Sequence, residues 1–402
     1  MSVPPGSTSD VTDRPEQGDR PDLLNAVKER YSEGAATQVA ALCCPIEYDA
    51  RYLEVIPQEV IDRDYGCGDP SKHLAPGETV LDLGSGTGKI AFIAAQVVGP
   101  TGRVIGVDMN DDMLAVARGA APVVAERIGY DNGTFLKGRI EDLATDRAAL
   151  AARLAERPVS DEAGLAELEQ HLAEQRRRAP LVADASVDVV VSNCVLNLVL
   201  NESKRKLFEE IFRVLKVGGR AVISDIVSDE PVPAALAADP ELWSGCISGA
   251  FQEREFLAAF EQAGFHGIEI LERGSEPWQV VAGIEFRSVT VAASKGKQGP
   301  CHEHNQAVIY KGPWKSVTDD DGHTLQRGER MAVCAKTYRL LTSGPYAGQV
   351  LPVPPRVPVA ADVTTPFVCT GDRVRTPRET KGADFALSLS PAENCCEPGT
   401  CC

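Results

Sequence analysis

The 402-residue chain has no apolar run of membrane-spanning length, no excess of basic residues and, at its start, neither the basic nor the apolar stretch of a secretory leader. The first absence argues against a helical membrane anchor, because a bilayer is crossed by about 20 consecutive apolar residues. The second argues against methylation or any other handling of nucleic acid. With 58 Asp and Glu against 41 Lys and Arg, the net charge is −17, the wrong sign for gripping phosphates. The third leaves no route of export, so a cytoplasmic protein is expected. Histidine is also scarce, at six residues, and none stands beside the loop cysteines considered below, which counts against an ordinary Cys/His zinc site. What the chain does have is ordinary apolar content, a length suited to two or three domains, and 12 cysteines. In a reducing compartment such cysteines point to metal or metalloid binding or to redox chemistry rather than to a disulfide framework.

The most informative stretch is Thr79 to Asp108. Val80 to Leu83 reads as a short strand that breaks into Gly84-Ser85-Gly86-Thr87-Gly88. Ile90 to Val98 reads as a buried helix and Arg103 to Val107 as a second strand closed by Asp108. Glycines between strand and helix allow positive φ and close approach of a ligand to the backbone, while the helix start offers unpaired N–H groups. An acid ending the second strand can accept both hydroxyls of a ribose, so a nucleotide-like cofactor is expected here. The spelling E-T-V-L-D-L-G-S-G-T-G resembles the class I S-adenosylmethionine-dependent methyltransferases rather than the dehydrogenases with their GxGxxG spacing.

Along the rest of the chain, residues 1–22 are poor in large apolar groups and expected to be disordered, and residues 23–75 form an N-terminal segment with a thiol loop. Helices are expected at Leu23 to Glu33 and Ala35 to Leu42. Alternating strands and helices over residues 76–229 imply an α/β, parallel, doubly wound Rossmann-like sheet. Within it, residues 144–180 read as an inserted pair of amphipathic helices broken at Pro158, and the helix from Ser203 stops at Gly218-Gly219. Residues 230–295 are expected to form a smaller α+β domain. Residues 296–385 form a β-rich appendage, with strands at Val308 to Tyr310, Met331 to Ala335 and Tyr338 to Leu341, and residues 386–402 a cysteine-rich tail.

Cys67 lies between glycines, Cys246 has a similar small-residue setting, and Cys194 directly follows the apolar strand Val187 to Ser192. In an open α/β sheet the carboxyl ends of the strands line the ligand crevice, which puts Cys194 there. Thiolates are soft ligands and select thiophilic centres. Cys301-His302-Glu303-His304 forms a weak local metal cluster, Cys334 and Cys369 are expected to pack, and the paired Cys395, Cys396, Cys401 and Cys402 suggest an accessory metalloid site serving capture, delivery or thiol exchange.

Five motifs, DYGCGDP, LDLGSGTGK, GVDMNDDML, SNCVLNL and GCISGA, occur in order and resemble those of the arsenite methyltransferase family. The resemblance implies that Cys67, Cys194 and Cys246 bind arsenic(III), with Cys43 or Cys44 as a fourth thiol pairing with Cys67 during turnover. It assigns Asp108 to the ribose, Ile140 and Glu141 to the adenine, and Gly84, Ser85 and Gly86 to the methionine and ribose portion of S-adenosylmethionine. Gly88, Met109 and Asn193 join the cofactor set, and Asp82 orients either the loop or the cofactor's amino group. Arsenite or methylarsenite is the implied substrate, and thioredoxin or glutathione the implied reductant. Two other readings stand beside this one. One is a methyltransferase for another small molecule such as a quinone-like carbon, which needs no cysteine triad. The other is a metalloid-sequestering protein, which needs no cofactor.

Overall fold

The computed structural model describes residues 20–37, 46–369 and 373–381, so Cys43, Cys44 and the four tail cysteines lie outside the described residues, as does most of the stretch expected to be disordered. The chain forms two compact units, Met1–Lys295 and Gly296–Cys402.

The first unit begins with helices α1 (Arg20–Ala36), α2 (Ala50–Leu53) and α3 (Gln58–Asp62). Then come β1 (Thr79–Leu83), α4 (Lys89–Val98), β2 (Arg103–Asp108), α5 (Asp111–Ile128) and β3 (Gly133–Lys137). Helices α6 (Arg147–Glu156) and α7 (Glu162–Arg178) precede β4 (Val187–Asn193), α8 (Asn201–Val214) and β5 (Leu215–Ser228). The unit closes with α9 (Ala234–Ala237), α10 (Pro240–Ser244), β6 (Phe251–Gln252), α11 (Glu253–Gln262), β7 (His266–Arg273), β8 (Gln279–Val281) and β9 (Ile284–Ser294).

The strand order is β3-β2-β1-β4-β5-β9-β7. Strand β1 pairs in parallel with both β2 and β4, so the order reverses there and a crevice opens at the strands' carboxyl ends. Period-two alternation feeds two cores. Leu81, Leu83 and Val190 face one side with Phe208, Phe256 and Phe260, while Val80, Val189 and Val191 face the other with Ile90 and Phe92.

The doubly wound α/β sheet is present, but it is mixed rather than all parallel. Strand β9 runs antiparallel to β5, β7 and β8. The connection from β8 to β9 is only Ala282-Gly283, with φ of 52° and 88°, a tight hairpin turn that can join antiparallel neighbours only. Residues 230–295 accordingly complete the one sheet and do not fold apart. Helix α8 passes straight into β5 at Leu215, with Gly218-Gly219 inside the strand rather than at the helix stop. The insertion is a helical hairpin whose helices have no buried residue, tied at its base by Arg176 to Asp142 at 2.9 Å.

The second unit contains β10 (His302–Glu303), β11 (Ala307–Tyr310), β12 (Ser316–Thr318), β13 (Thr324–Gln326), β14 (Arg330–Ala332), α12 (Ala335–Thr342), β15 (Val350–Val353), β16 (Thr365–Pro366) and α13 (Pro377–Lys381). Strands β14-β11-β15 form an antiparallel sheet over a core that includes Val308, Tyr310, Met331 and Leu341. The stretch Tyr338 to Leu341, expected as a strand, is helix. Leu341 and Tyr338 are three apart and turn to the same core, a helical spacing that a short apolar run hides.

Candidate active site

The glycine turn is built for its place. Gly84, at φ 66°, lies against Val195, whose side chain an added Cβ would meet at 2.4 Å. Gly86, at φ 51°, has nothing within 4 Å of an added Cβ. Its N–H donates to Asp108 Oδ2 at 2.9 Å, and Asn110 N–H donates to Asp108 Oδ1 at 2.8 Å. Burial raises the Asp108 pKa, and these backbone donors work against that rise. Gly88 departs from the predicted cofactor set, because it caps α4 at φ 96° and faces Phe92 and Phe135.

Every other predicted cofactor residue, Asp82, Gly84, Ser85, Gly86, Asp108, Met109, Ile140, Glu141 and Asn193, lines one cleft, and so does Cys194. Two buried polar atoms there, Asp82 Oδ2 and Ser85 Oγ, have no hydrogen-bond partner. Burial, followed by the charges of Asp64 and Asp108, pushes the Asp82 pKa well up. An acidic, unsatisfied wall of this kind fits a ligand carrying positive charge and hydrogen-bond donors, as S-adenosylmethionine does in its ammonium and sulfonium groups.

Cys194 on the cleft wall belongs to a buried cluster with Cys67 and Cys246 and contacts both, the exposures being 4% for Cys67, 7% for Cys194 and 3% for Cys246. The ligand atoms of Cys67, Cys194 and Asp225 lie within 4.8 Å of one another. Cys246 Sγ donates to Cys194 O at 3.3 Å and lies 3.8 Å from Tyr31 Oη. Cys194 and Cys246 both hold left-handed backbone, φ 64° and 62°, a conformation that costs a residue with a Cβ and is concentrated at functional sites.

Other residues hold the thiols in place. Asn193 Oδ1 accepts from the N–H groups of Cys67 at 2.9 Å and Gly68 at 3.1 Å, and its Nδ2 donates to Gly68 O at 2.8 Å. Asn193 thus clamps the thiol loop as well as lining the cleft. The loop fits only as glycine: a Cβ on Gly66 would meet Asn193 Nδ2 at 2.2 Å, and one on Gly68 would meet Ser224 Oγ at 2.5 Å. Asn197 Nδ2 donates to Ile226 O at 2.7 Å and to Cys246 O at 3.3 Å, joining SNCVLNL to GCISGA. Lys204 donates to Gly249 O and lies 4.2 Å from the Phe251 ring, with burial pushing its pKa down to about 8.

Two of the thiols, Cys194 and Cys246, have raised pKa values. The hydrogen bond with Cys246 lowers the Cys194 pKa, but the bond to Cys67, burial and the charges of Cys67 and Asp225 outweigh it and push it well up. Cys246 is raised by its bond to Cys194, by burial and by the charges of Cys194 and Asp225. Burial pushes Asp225 up to about 6, against N–H bonds from Ile226 and Leu196. Tyr31, Asn197, Lys204 and Asp225 were not singled out from sequence. Asp225 carried a signal as the acid closing a core strand, and Asn197 as a member of the SNCVLNL motif.

A methyltransferase domain family matches residues 74–151 and 149–264, and a domain of unknown function matches residues 297–385. The arsenite methyltransferase of Aquipseudomonas alcaligenes is 33% identical over 307 residues, covering 73% of this chain and 78% of the relative. That of Homo sapiens is 29% identical over 323 residues, covering 77% and 76%. The crystal structure of an arsenic(III) S-adenosylmethionine methyltransferase from Chlamydomonas reinhardtii superposes with a TM-score of 0.51 at 28% identity, covering 79% of this chain and 99% of that one. A third of the residues shared across three quarters of both sequences is kinship, not a common fold alone: the chain belongs to the arsenite methyltransferase family of S-adenosylmethionine-dependent enzymes.

Proposed function

We propose that Cys67, Cys194 and Cys246 hold arsenic(III) at the inner end of the cleft for methylation, and that Cys43 or Cys44 pairs with Cys67 to return electrons. The observation that carries this reading is the position of Cys194, on the cleft wall shared with Asp82 and Asp108 and in contact with the other thiols. Asp108 takes the ribose hydroxyls, Ile140 and Glu141 flank the adenine, and Asp82 and Ser85 take the amino-acid end. Bound S-adenosylmethionine supplies an electrophilic methyl group to the cleft.

Loading the substrate needs protons from the chain. Three thiols displace three hydroxyls of arsenous acid, each thiol proton leaving with a hydroxyl as water. Arsenic held by three sulfurs is pyramidal and retains a lone pair, so the chain needs no general base at this step. Its contribution is to hold the nucleophile in line, which is where positioning supplies much of the rate. Reduction of pentavalent arsenic takes two electrons from a thiol pair, leaving a disulfide that thioredoxin or glutathione opens by exchange. Arsenite or methylarsenite is the substrate, and the setting is the cytoplasm; among the described residues no helix is long and apolar enough to cross a membrane.

The test is to incubate the protein with arsenite, S-adenosylmethionine and a thiol reductant and to speciate the arsenic. Methylarsenic is expected from the wild type and none above control from Cys194→Ser or Cys246→Ser. Full activity in both variants removes the triad from the mechanism.

A further inference from the structure

The C-terminal unit holds a second group of three thiols. The Sγ atoms of Cys301, Cys334 and Cys369 all lie within 4.8 Å of one another, although they come from separate segments. Cys301 precedes β10 and Cys369 follows β16. The β10–β16 pairing, continued by the Phe367 N–H bond to Cys301 O at 2.8 Å, brings these two cysteines to one end of the ladder. Cys334 caps α12, its Sγ accepting from Thr337 N–H at 3.3 Å. It is buried, at 1% exposure, while Cys301 and Cys369 are half-buried, which leaves the group reachable by a small solute.

The grouping is not explained by packing. The apolar cluster at the centre of this unit contains Val333 and Leu341 on either side of Cys334 in sequence, but none of the three cysteines. Nor do the neighbouring polar residues complete a four-ligand set. His302, expected from sequence to share a local cluster with Cys301, is bonded to Thr364 Oγ1 at 3.3 Å, and the Glu303 carboxylate is taken by Arg375 through two bonds of 2.8 Å. No His, Asp or Glu joins the three thiols among the described residues.

We propose that Cys301, Cys334 and Cys369 form a second binding site for a trivalent arsenical, one that holds the metalloid without methylating it. Three soft donors with no fourth ligand suit a pyramidal, three-coordinate centre, whereas structural zinc takes four ligands in a tetrahedron. Binding of arsenous acid breaks three As–O bonds and forms three As–S bonds, and each thiol proton departs with a hydroxyl as water. Arsenic stays trivalent, so no electron donor or acceptor is required. The site lies outside the matched methyltransferase domain, within residues 297–385, which a domain of unknown function matches.

The test uses the full-length protein, reduced, freed of reductant, incubated with or without arsenite and then alkylated with iodoacetamide, each cysteine being followed by peptide mass. Alkylation of Cys301, Cys334 and Cys369 is expected to slow together by about tenfold once free arsenite reaches about ten times the Kd. Cys334→Ser should abolish the protection of Cys301 and Cys369 while leaving that of Cys67, Cys194 and Cys246 intact. Because the two groups are read separately in one digest, failure of one site is scored independently of the other. Equal alkylation with and without arsenite in the wild type overturns the proposal, as does protection by zinc(II) but not by arsenite, or a Cys301–Cys369 disulfide that survives reduction.

Discussion

Cys194 and Cys246 sit on backbone that glycine adopts at no cost, φ 64° and 62°. For any residue with a Cβ the left-handed region costs roughly 1–2 kcal/mol. Alanine at either position keeps that cost and loses the sulfur, whereas glycine loses the sulfur and sheds the cost. Cys194→Gly is therefore expected to be about 1 kcal/mol more stable than Cys194→Ala in urea denaturation, with both inactive. An equal or reversed ranking would mean that the backbone strain is not carried there. Asp108 makes a separate prediction. Replacing it with Ala orphans the Gly86 and Asn110 N–H groups and removes the proposed ribose acceptor. Hydrogen bonds to a charged group are worth about 1.5–3 kcal/mol, so S-adenosylmethionine affinity by calorimetry should fall about ten- to hundredfold. At this scale the glycine turn and Asp108 were legible because they stand within one strand-turn-helix-strand stretch, and the structure brings Ile140, Glu141 and Asn193 to the same cleft. Tyr31 was not legible, since α1 brings it to Cys246 across 215 residues of chain, and no local pattern marks such a contact.

Among the elements, the thiol loop and the turn between β12 and β13 make opposite kinds of demand. The loop is fixed by close approach. Gly68→Ala drives a Cβ to 2.5 Å from Ser224 Oγ, and overpacking of this sort costs about 1–3 kcal/mol, so a lower melting temperature and lost methylation are expected together. The turn is fixed by charge. Asp319 accepts from His323 Nδ1 at 2.9 Å and from His323 N–H at 2.8 Å, and this partnership raises the His323 pKa above 6.5 against the effect of burial. A raised histidine stabilises fully below its unfolded pKa and loses that contribution as pH rises through the folded value. The stability of the C-terminal unit, followed by thermal unfolding, should therefore decline as pH climbs from about 6.5, and His323→Gln should flatten the decline. Most elements were legible where the apolar run was long, as in α4 and β4. The strand expected at Tyr338 to Leu341 failed because four residues cannot separate a period of two from one of 3.6.

At the level of the whole molecule, the cleft, its cofactor wall and its three thiols all belong to Met1–Lys295, while Cys301, Cys334 and Cys369 belong to Gly296–Cys402. A chain ending at Lys295 is expected to retain arsenite methylation measured by arsenic speciation, and to bind less arsenite per mole. The fold class was readable from the alternation of strands and helices. Its antiparallel edge was not, because strand direction is decided by connection length and turn conformation, here by Ala282-Gly283, rather than by apolar pattern. The left-handed cysteines also bear on how variants of this protein should be screened. A library sorted by cellular abundance would favour glycine at positions 194 and 246, and one sorted by survival in arsenite would eliminate it. The amount of folded protein in a cell is consequently no proxy for its activity, and the variants most damaging to the host would be those that every assay of expression passes as sound.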